Sequence, residues 1–334
     1  MDMAEAKQLR IVYMGTPDFA VEPLKRLVEG GYNVVGVVTV PDKPAGRGLK
    51  VQASAVKVYA EQALPGVPLL QPVKLKDPEF VAALEALRPD LGIVVAFRML
   101  PEVVWAMPRR GTFNLHASLL PEYRGAAPIN RAVMNGETKT GVTTFLLNPE
   151  IDCGAILMQR ELPIAEADTA GEVHDGLMMI GAELVVETVE GLAAGRLSPE
   201  EQPAGAEQGL KPAPKIFKED CRLVAEGRSW RDYAVRDLHN KVRGLSPYPG
   251  AWCDFPGTAT GEGGATTAKI LRAHYEWAGA GEAATGAEPK EGFESDGKRW
   301  LRVRCSDGWL YVDRLQVAGK RAMEVEEFLR GYRI

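Results

Sequence analysis

Three short runs of unbroken apolar residues constrain this chain more than any other feature. They are RIVYMG (10–15), VVGVVTV (34–40) and LGIVVAF (91–97). A strand apolar on both faces must be covered on both faces, which parallel sheets between helices achieve. The intervening segments supply such helices. TPDFAVEPLKRLVEGG (16–31) has a helical pattern that ends at Gly30-Gly31. Asp77-Pro78 opens a helix through Leu87, with Pro78 in a first turn that needs no N–H. GTFNLHAS (111–118) and GVTTFLL (141–147) continue the strands, and 128–135 is helical, stopping at Gly136. Thr169-x-x-Glu172 is a capping box that starts a helix over 169–194, closed by Gly195. The expectation is an α/β, Rossmann-like, mostly parallel sheet, whose ligand site lies at the carboxyl ends of its strands.

The texture changes at RLSPEEQPAGAEQGLKPAPK (196–215), rich in Pro, Gly and Glu and without apolar periodicity. This reads as an interdomain linker. The division is 1–195, a linker over 196–214, and a second domain over 215–334. That domain begins with a helix near 230–243, then GAWCDF, TAKILRAHYEW, WLRVRCS and GWLYVDRLQVAG, short alternating runs that suggest a small antiparallel barrel. The stretches 257–267 and 278–292 read as loops between its strands.

Hydrophobic residues make up 46% of the 334, which excludes global disorder. The net charge of −5 is unevenly spread: 211–334 holds 21 Lys+Arg against 18 Asp+Glu, leaving 19 against 27 in 1–210. A mildly basic second domain on an acidic body suits a polyanionic partner for that domain. The start, MDMAEAKQLR, has no apolar core of a signal peptide, and no run of about 18 apolar residues exists. A cytoplasmic protein without a membrane segment is expected. Cys153, Cys221, Cys253 and Cys305 show no paired spacing and read as reduced thiols, not a zinc site.

The chemistry concentrates in NLHASLLPEYRGAAPIN (114–130). With a period of two, Phe113, Leu115 and Ala117 face one way and Thr112, Asn114 and His116 the other. Asn and His side by side on a buried strand are costly unless paired. They are also two donors that could hold an oxyanion growing on a carbonyl. Asp152 in PEIDCG (149–154) is the candidate carboxylate to orient the His. The competing reading is ordinary: two buried hydrogen bonds and a turn aspartate. MGTPDF (14–19) lacks the glycines of a dinucleotide loop and reads as a tight turn. PDKPAGRGLK (41–50) carries Lys43, Arg47 and Lys50, either a solvated loop or one that meets phosphates. His174, His239 and His274 lack ligand-spaced partners, so no metal is assigned.

These segments resemble the folate-dependent formyltransferase family. The match lies in Asn114-x-His116-x-Ser118-Leu119-Leu120-Pro121, Tyr123-Arg124-Gly125-Ala126-Ala127-Pro128 and Ile151-Asp152-x-Gly154. It extends to MGTPDFA, PDKPAGRG, KIFKED, GLSPYPGAW and LQVAGKRAM, covering nearly the whole chain in order. The resemblance implies a Rossmann-like formyltransferase domain followed by an OB-like barrel. It implies 10-formyltetrahydrofolate as co-substrate, no metal, and methionyl initiator tRNA as partner. By the motif match Asn114, His116 and Asp152 are catalytic, Ser118, Leu119, Leu120 and Pro121 line the folate site, and Arg47 with Lys43 and Lys50 meets the tRNA. A monomer is expected.

Three positions depart from the family pattern. FRMLP (97–101) is one residue short and carries Arg98, EIDCG stands for Leu-Asp-Thr-Gly, and Asn130 stands for Gln. The rival readings are a formyltransferase for a small amine or amino sugar, a hydrolase releasing formate from folate, and an RNA-binding protein with an inactive first domain.

Overall fold

The structure is a computed structural model describing residues 2–45, 50–203, 209–256, 266–279, 292–332 and 334. Contacts divide the chain into two compact units. The first is Met1–Pro128 with Lys139–Pro163 and His174–Ala213; the second is Ile129–Thr138 with Ile164–Val173 and Pro214–Ile334.

The first unit is built on nine strands: β1 (Ile11–Gly15), β2 (Val34–Val38), β3 (Lys43–Ala45), β4 (Lys50–Gln52), β5 (Leu69–Leu70), β6 (Leu91–Val95), β7 (Thr112–His116), β8 (Lys139–Leu146) and β9 (Ile156–Pro163). Seven form one sheet in the order β5-β2-β1-β6-β7-β8-β9, while β3 and β4 pair as a separate ribbon. The run from β5 to β7 is parallel, and β8 and β9 add antiparallel pairs. β9 escaped the sequence reading because its residues alternate between half-buried and exposed, the pattern of a polar edge strand.

The helices are α1 (Asp2–Ala6), α2 (Val21–Glu29), α3 (Ala55–Ala63), α4 (Pro78–Ala86), α5 (Glu102–Trp105), α6 (Pro128–Met134) and α7 (Ala170–Ala193). Their ends follow local chemistry. The Asp77 side chain caps α4 by accepting from the Glu79 N–H. Before α7, the Thr169 hydroxyl accepts from the Glu172 N–H while the Glu172 carboxylate accepts from the Thr169 N–H, the expected capping box. MGTPDF forms the tight turn predicted for it. A Cβ on Gly15 would stand 2.7 Å from the Ala20 side chain, and the buried Tyr13 hydroxyl donates to the Ala20 carbonyl at 2.6 Å. The core beside this turn is Val12, Met14, Val38, Phe80, Leu84, Val94 and Val104.

The described parts of 196–214 are anchored, although their composition reads as linker. Glu200 and Ile156 exchange both backbone hydrogen bonds, at 2.7 and 2.8 Å, and Gln202 and Ala213 are buried. Backbone pairing needs no apolar periodicity, so composition does not report it.

The second unit carries β10 (Ala251–Phe255), β11 (Thr266–Trp277), β12 (Phe293–Ser295), β13 (Leu301–Arg304), β14 (Gly308–Val317), β15 (Met323–Glu324), α8 (Val235–Gly244) and α9 (Val325–Gly331). The strands form an antiparallel sheet in the order β10-β11-β14-β13-β12, with β15 on β14. Along β10 and β13 buried residues alternate with less buried ones, and Leu238, Val242 and Leu245 share one buried cluster with Ile270, Leu301, Val312, Leu315 and Phe328. The helix expected near 230–243 begins at Val235; before it, Ser229 caps a short 3₁₀ turn over Trp230–Asp232. The loops expected at 257–267 and 278–292 fall mostly outside the described residues. Among the described residues no helix is long and apolar enough to cross a membrane.

Candidate active site

Strand β7 alternates as its period requires. Phe113 and Leu115 are core residues, while Thr112, Asn114 and His116 share the opposite face. Asn114 sits between Val94 of β6 and Phe145 of β8, at the carboxyl end of the parallel strands. This is where a parallel sheet leaves strand ends open to a ligand.

Two loops converge on His116. Its Nε2 lies 2.9 Å from the carbonyl of Tyr123. A carbonyl only accepts, so Nε2 carries a proton and Nδ1 is the ring atom not used in that bond. Nδ1 faces Asp152 Oδ2 at 3.9 Å, too long for a hydrogen bond and a charge contact only when the ring carries a second proton. The side chains are 7% and 15% exposed, so little water screens the contact. Asp152 Oδ2 is itself held by the Gly125 N–H at 2.9 Å.

Both loops bend through unusual backbone. Tyr123 has φ +60° and Asp152 φ +54°, in the left-handed region that side chains disfavour. Gly125, at φ +124°, passes so close to 213 that a Cβ would meet the Ala213 carbonyl oxygen at 2.5 Å. That approach lets Ala213 donate to the Arg124 carbonyl and accept from Ala127, while Lys211 accepts from the Tyr123 N–H.

The turn 118–121 is wired to its neighbours. Thr143 Oγ1 donates to the Ser118 carbonyl at 2.7 Å and accepts from the Leu120 N–H and the Gln159 amide, using its full capacity. Gln159 also donates to the Leu120 carbonyl, and the Ser118 hydroxyl to the Glu122 carbonyl at 2.6 Å. Ser118 and Leu120 are buried; Leu119 and Pro121 are half-buried. Arg98 is drawn aside, its guanidinium donating to the carbonyls of Pro72 and Val73. Burial lowers its pKa from the usual arginine range.

Of the basic loop, Lys43 is exposed at the start of the β3–β4 ribbon, where it pairs with Gln52. Lys50 pairs through its backbone with Ala45, and Arg47 lies outside the described residues. The ribbon's base is pinned by Asp42, which accepts from Lys57 Nζ at 2.6 Å and from Gln71 at 2.8 Å. These bonds hold the Asp42 carboxyl below its ordinary range, with the lysine first among the causes. Among the described residues no group of three or more His, Cys, Asp or Glu is placed to hold a metal ion.

The structure thus brings Asn114, His116 and Asp152 to one end of β7. Sequence reading missed the groups that hold them: the Tyr123 carbonyl, the Gly125 N–H, Thr143, Gln159, Arg124 and Gln202. Backbone groups leave no residue-type signal, and Gln202 sits in a stretch with the composition of solvated chain.

A parallel-rich sheet carries these three polar residues at its strand ends, and an antiparallel second unit follows it. The chain belongs to the formyl transferase family: the family's formyl transferase model matches residues 9–189, and its C-terminal-domain model matches 215–333. It is similar over nearly its whole length to proteins named methionyl-tRNA formyltransferase. That of Bacteroides thetaiotaomicron is 53% identical over 332 residues, covering 98% of this chain and 97% of that one. That of Parabacteroides distasonis is 53% identical over 330 residues, with the same shares. Among solved structures, HypX from Aquifex aeolicus in complex with tetrahydrofolic acid aligns with TM-score 0.63 at 20% identity. The alignment covers 97% of this chain and 48% of HypX, so the likeness is one of fold across about half of that protein.

Proposed function

We propose that this enzyme transfers the formyl group of 10-formyltetrahydrofolate to the α-amino group of methionyl initiator tRNA, working in the cytoplasm as a monomer. The full-length similarity to methionyl-tRNA formyltransferases supports the substrates. The observation that carries the site assignment is the convergence of Asn114, His116 and Asp152, with His116 Nδ1 turned toward the carboxylate.

The amine nitrogen attacks the formyl carbon, and the carbonyl electrons move to oxygen. The Asn114 amide donates to this oxyanion. His116 Nδ1 takes the amine proton, because Nε2 is committed to Tyr123. The imidazolium so formed lies within charge contact of Asp152 and returns its proton to N10 as the C–N10 bond breaks. Tetrahydrofolate leaves, and the formyl group stays on the methionyl nitrogen. In this reading Leu119 and Pro121 face the folate, while Ser118 and Leu120 hold the turn from within. Lys43, Arg47 and Lys50 give the segment 43–50 the charge to meet the acceptor end of the tRNA.

The test is a formyl-transfer assay offering methionyl initiator tRNA, methionyl elongator tRNA, free methionine and a nucleotide-linked amino sugar. Transfer confined to the initiator tRNA is expected. Transfer to the sugar or to free methionine without transfer to tRNA would overturn the substrate, and formate release with no acceptor would mark a hydrolase.

A further inference from the structure

Gln202 stands in SPEEQPAG, a stretch with the composition of solvated chain, yet it is buried at 8% exposure. The paired backbone bonds between Glu200 and Ile156 carry it inward. There its amide is fully used. Nε2 donates to the Asp152 carbonyl at 2.9 Å and to the Gly154 carbonyl at 2.8 Å. Oε1 accepts from Arg124 Nη2 at 2.6 Å and from Arg124 Nε at 3.2 Å. Only one orientation of the amide serves both sides, since carbonyls need N–H and a guanidinium needs an acceptor.

The residues it joins flank the proposed catalytic groups. On one side is the loop whose Asp152 holds φ +54°, a backbone that persists only where its surroundings over-determine it. On the other is Arg124, between the Tyr123 carbonyl that bonds His116 and the Gly125 N–H that bonds Asp152. A slip of either loop changes the distance between His116 and Asp152.

We propose that Gln202 is a positioning residue for formyl transfer: it locks the Asp152 loop to Arg124 and so sets how the carboxylate meets His116. This rests on the assignment of Asp152 as a catalytic group. Gln202 does not touch the reacting atoms, so its loss acts on the chemical step and spares binding.

The test compares Gln202→Glu and Gln202→Met with Asp152→Asn and with each double variant, reading kcat, both KM values and thermal unfolding. Glu keeps the shape and the acceptor for Arg124 but loses the N–H groups that two carbonyls require. Met keeps the length and loses both. A misplacement of this kind lowers kcat by on the order of 10- to 100-fold, and we expect both KM values within about threefold of wild type. In the Asp152→Asn background, either Gln202 change should cost less than about threefold more, because the two residues act as one unit. Wild-type kcat in a folded Gln202 variant, or full additivity with Asp152→Asn, would overturn the proposal. So would loss confined to KM. Should Gln202→Met not fold, Gln202→Glu carries the same comparison. Normal turnover in Asp152→Asn alone would instead remove Asp152 from the chemistry, a failure of the underlying assignment that this design separates from a failure of the latch.

Discussion

Among the described residues three histidines contact an aspartate, His174 through its sequence neighbour Asp175 at 3.0 Å, and of the other two pairs the one with the better hydrogen bond is not the one at the candidate active site. In the second unit His274 Nδ1 lies 2.7 Å from Asp313 Oδ1, the side chains are 56% and 32% exposed, and the ring stacks on Tyr311 at 4.8 Å. In the first unit His116 Nδ1 stands 3.9 Å from Asp152, and both residues are largely buried. The surface imidazole has spent Nδ1 on its partner. The buried one is anchored through Nε2, its carboxylate is anchored through Gly125, and Nδ1 makes no hydrogen bond to that carboxylate. The surface pair is joined directly, whereas the members of the buried pair are each held by bonds to other atoms.

Swapping the carboxylate for an amide in each pair is the sharpest way to break this contrast. Asp152→Asn should lower kcat by roughly 10³–10⁴-fold, the cost of removing a carboxylate that orients and counters a catalytic imidazole. Asp313→Asn should leave kcat within about twofold. Equal effects in steady-state assays would dissolve the distinction.

A smaller loss is expected on the strand itself. Asn114→Ala removes the proposed oxyanion donor and should lower kcat by about 10²–10³-fold, with little change in the folate KM. An Asn114→Ala enzyme that turns over normally would remove that residue from the site.

The smallest effect sharpens the other side. The hydrogen bond that the His274 ring donates to the Asp313 carboxylate raises the pKa of His274 above its ordinary 6.5. A raised folded value means that the pair stabilises fully below about pH 6.5 and loses this contribution as pH climbs through the folded value. With both side chains open to water the contribution is under ~1 kcal/mol. Thermal unfolding of His274→Asn should therefore show a slight deficit at pH 6 that fades in alkaline buffer; a deficit growing with pH would reverse the assigned sign.

Much of the first unit was legible in the residues. Unbroken apolar runs marked β1, β2 and β6, Asp77-Pro78 and Thr169-x-x-Glu172 marked helix starts, and alternation along 112–116 put Asn114 and His116 on one face. Burial leaves such patterns because each element must hide one side of itself. β9 was missed because an edge strand hides little, and the anchoring of the described parts of 196–214 was missed because backbone bonds serve any residue type.

Residue chemistry and local spacing by themselves determined the buried strands, two helix starts and which side chains could carry a proton or an oxyanion. Only the tertiary structure decided how those side chains are used: that His116 is pinned by a carbonyl seven residues on, that Asp152 is held by a backbone N–H, and that Gln202 bridges two loops. The physical reason is that a side chain's identity states which bonds it can make, while the partner, when it is a main-chain group common to every residue, is chosen by where the chain returns in space.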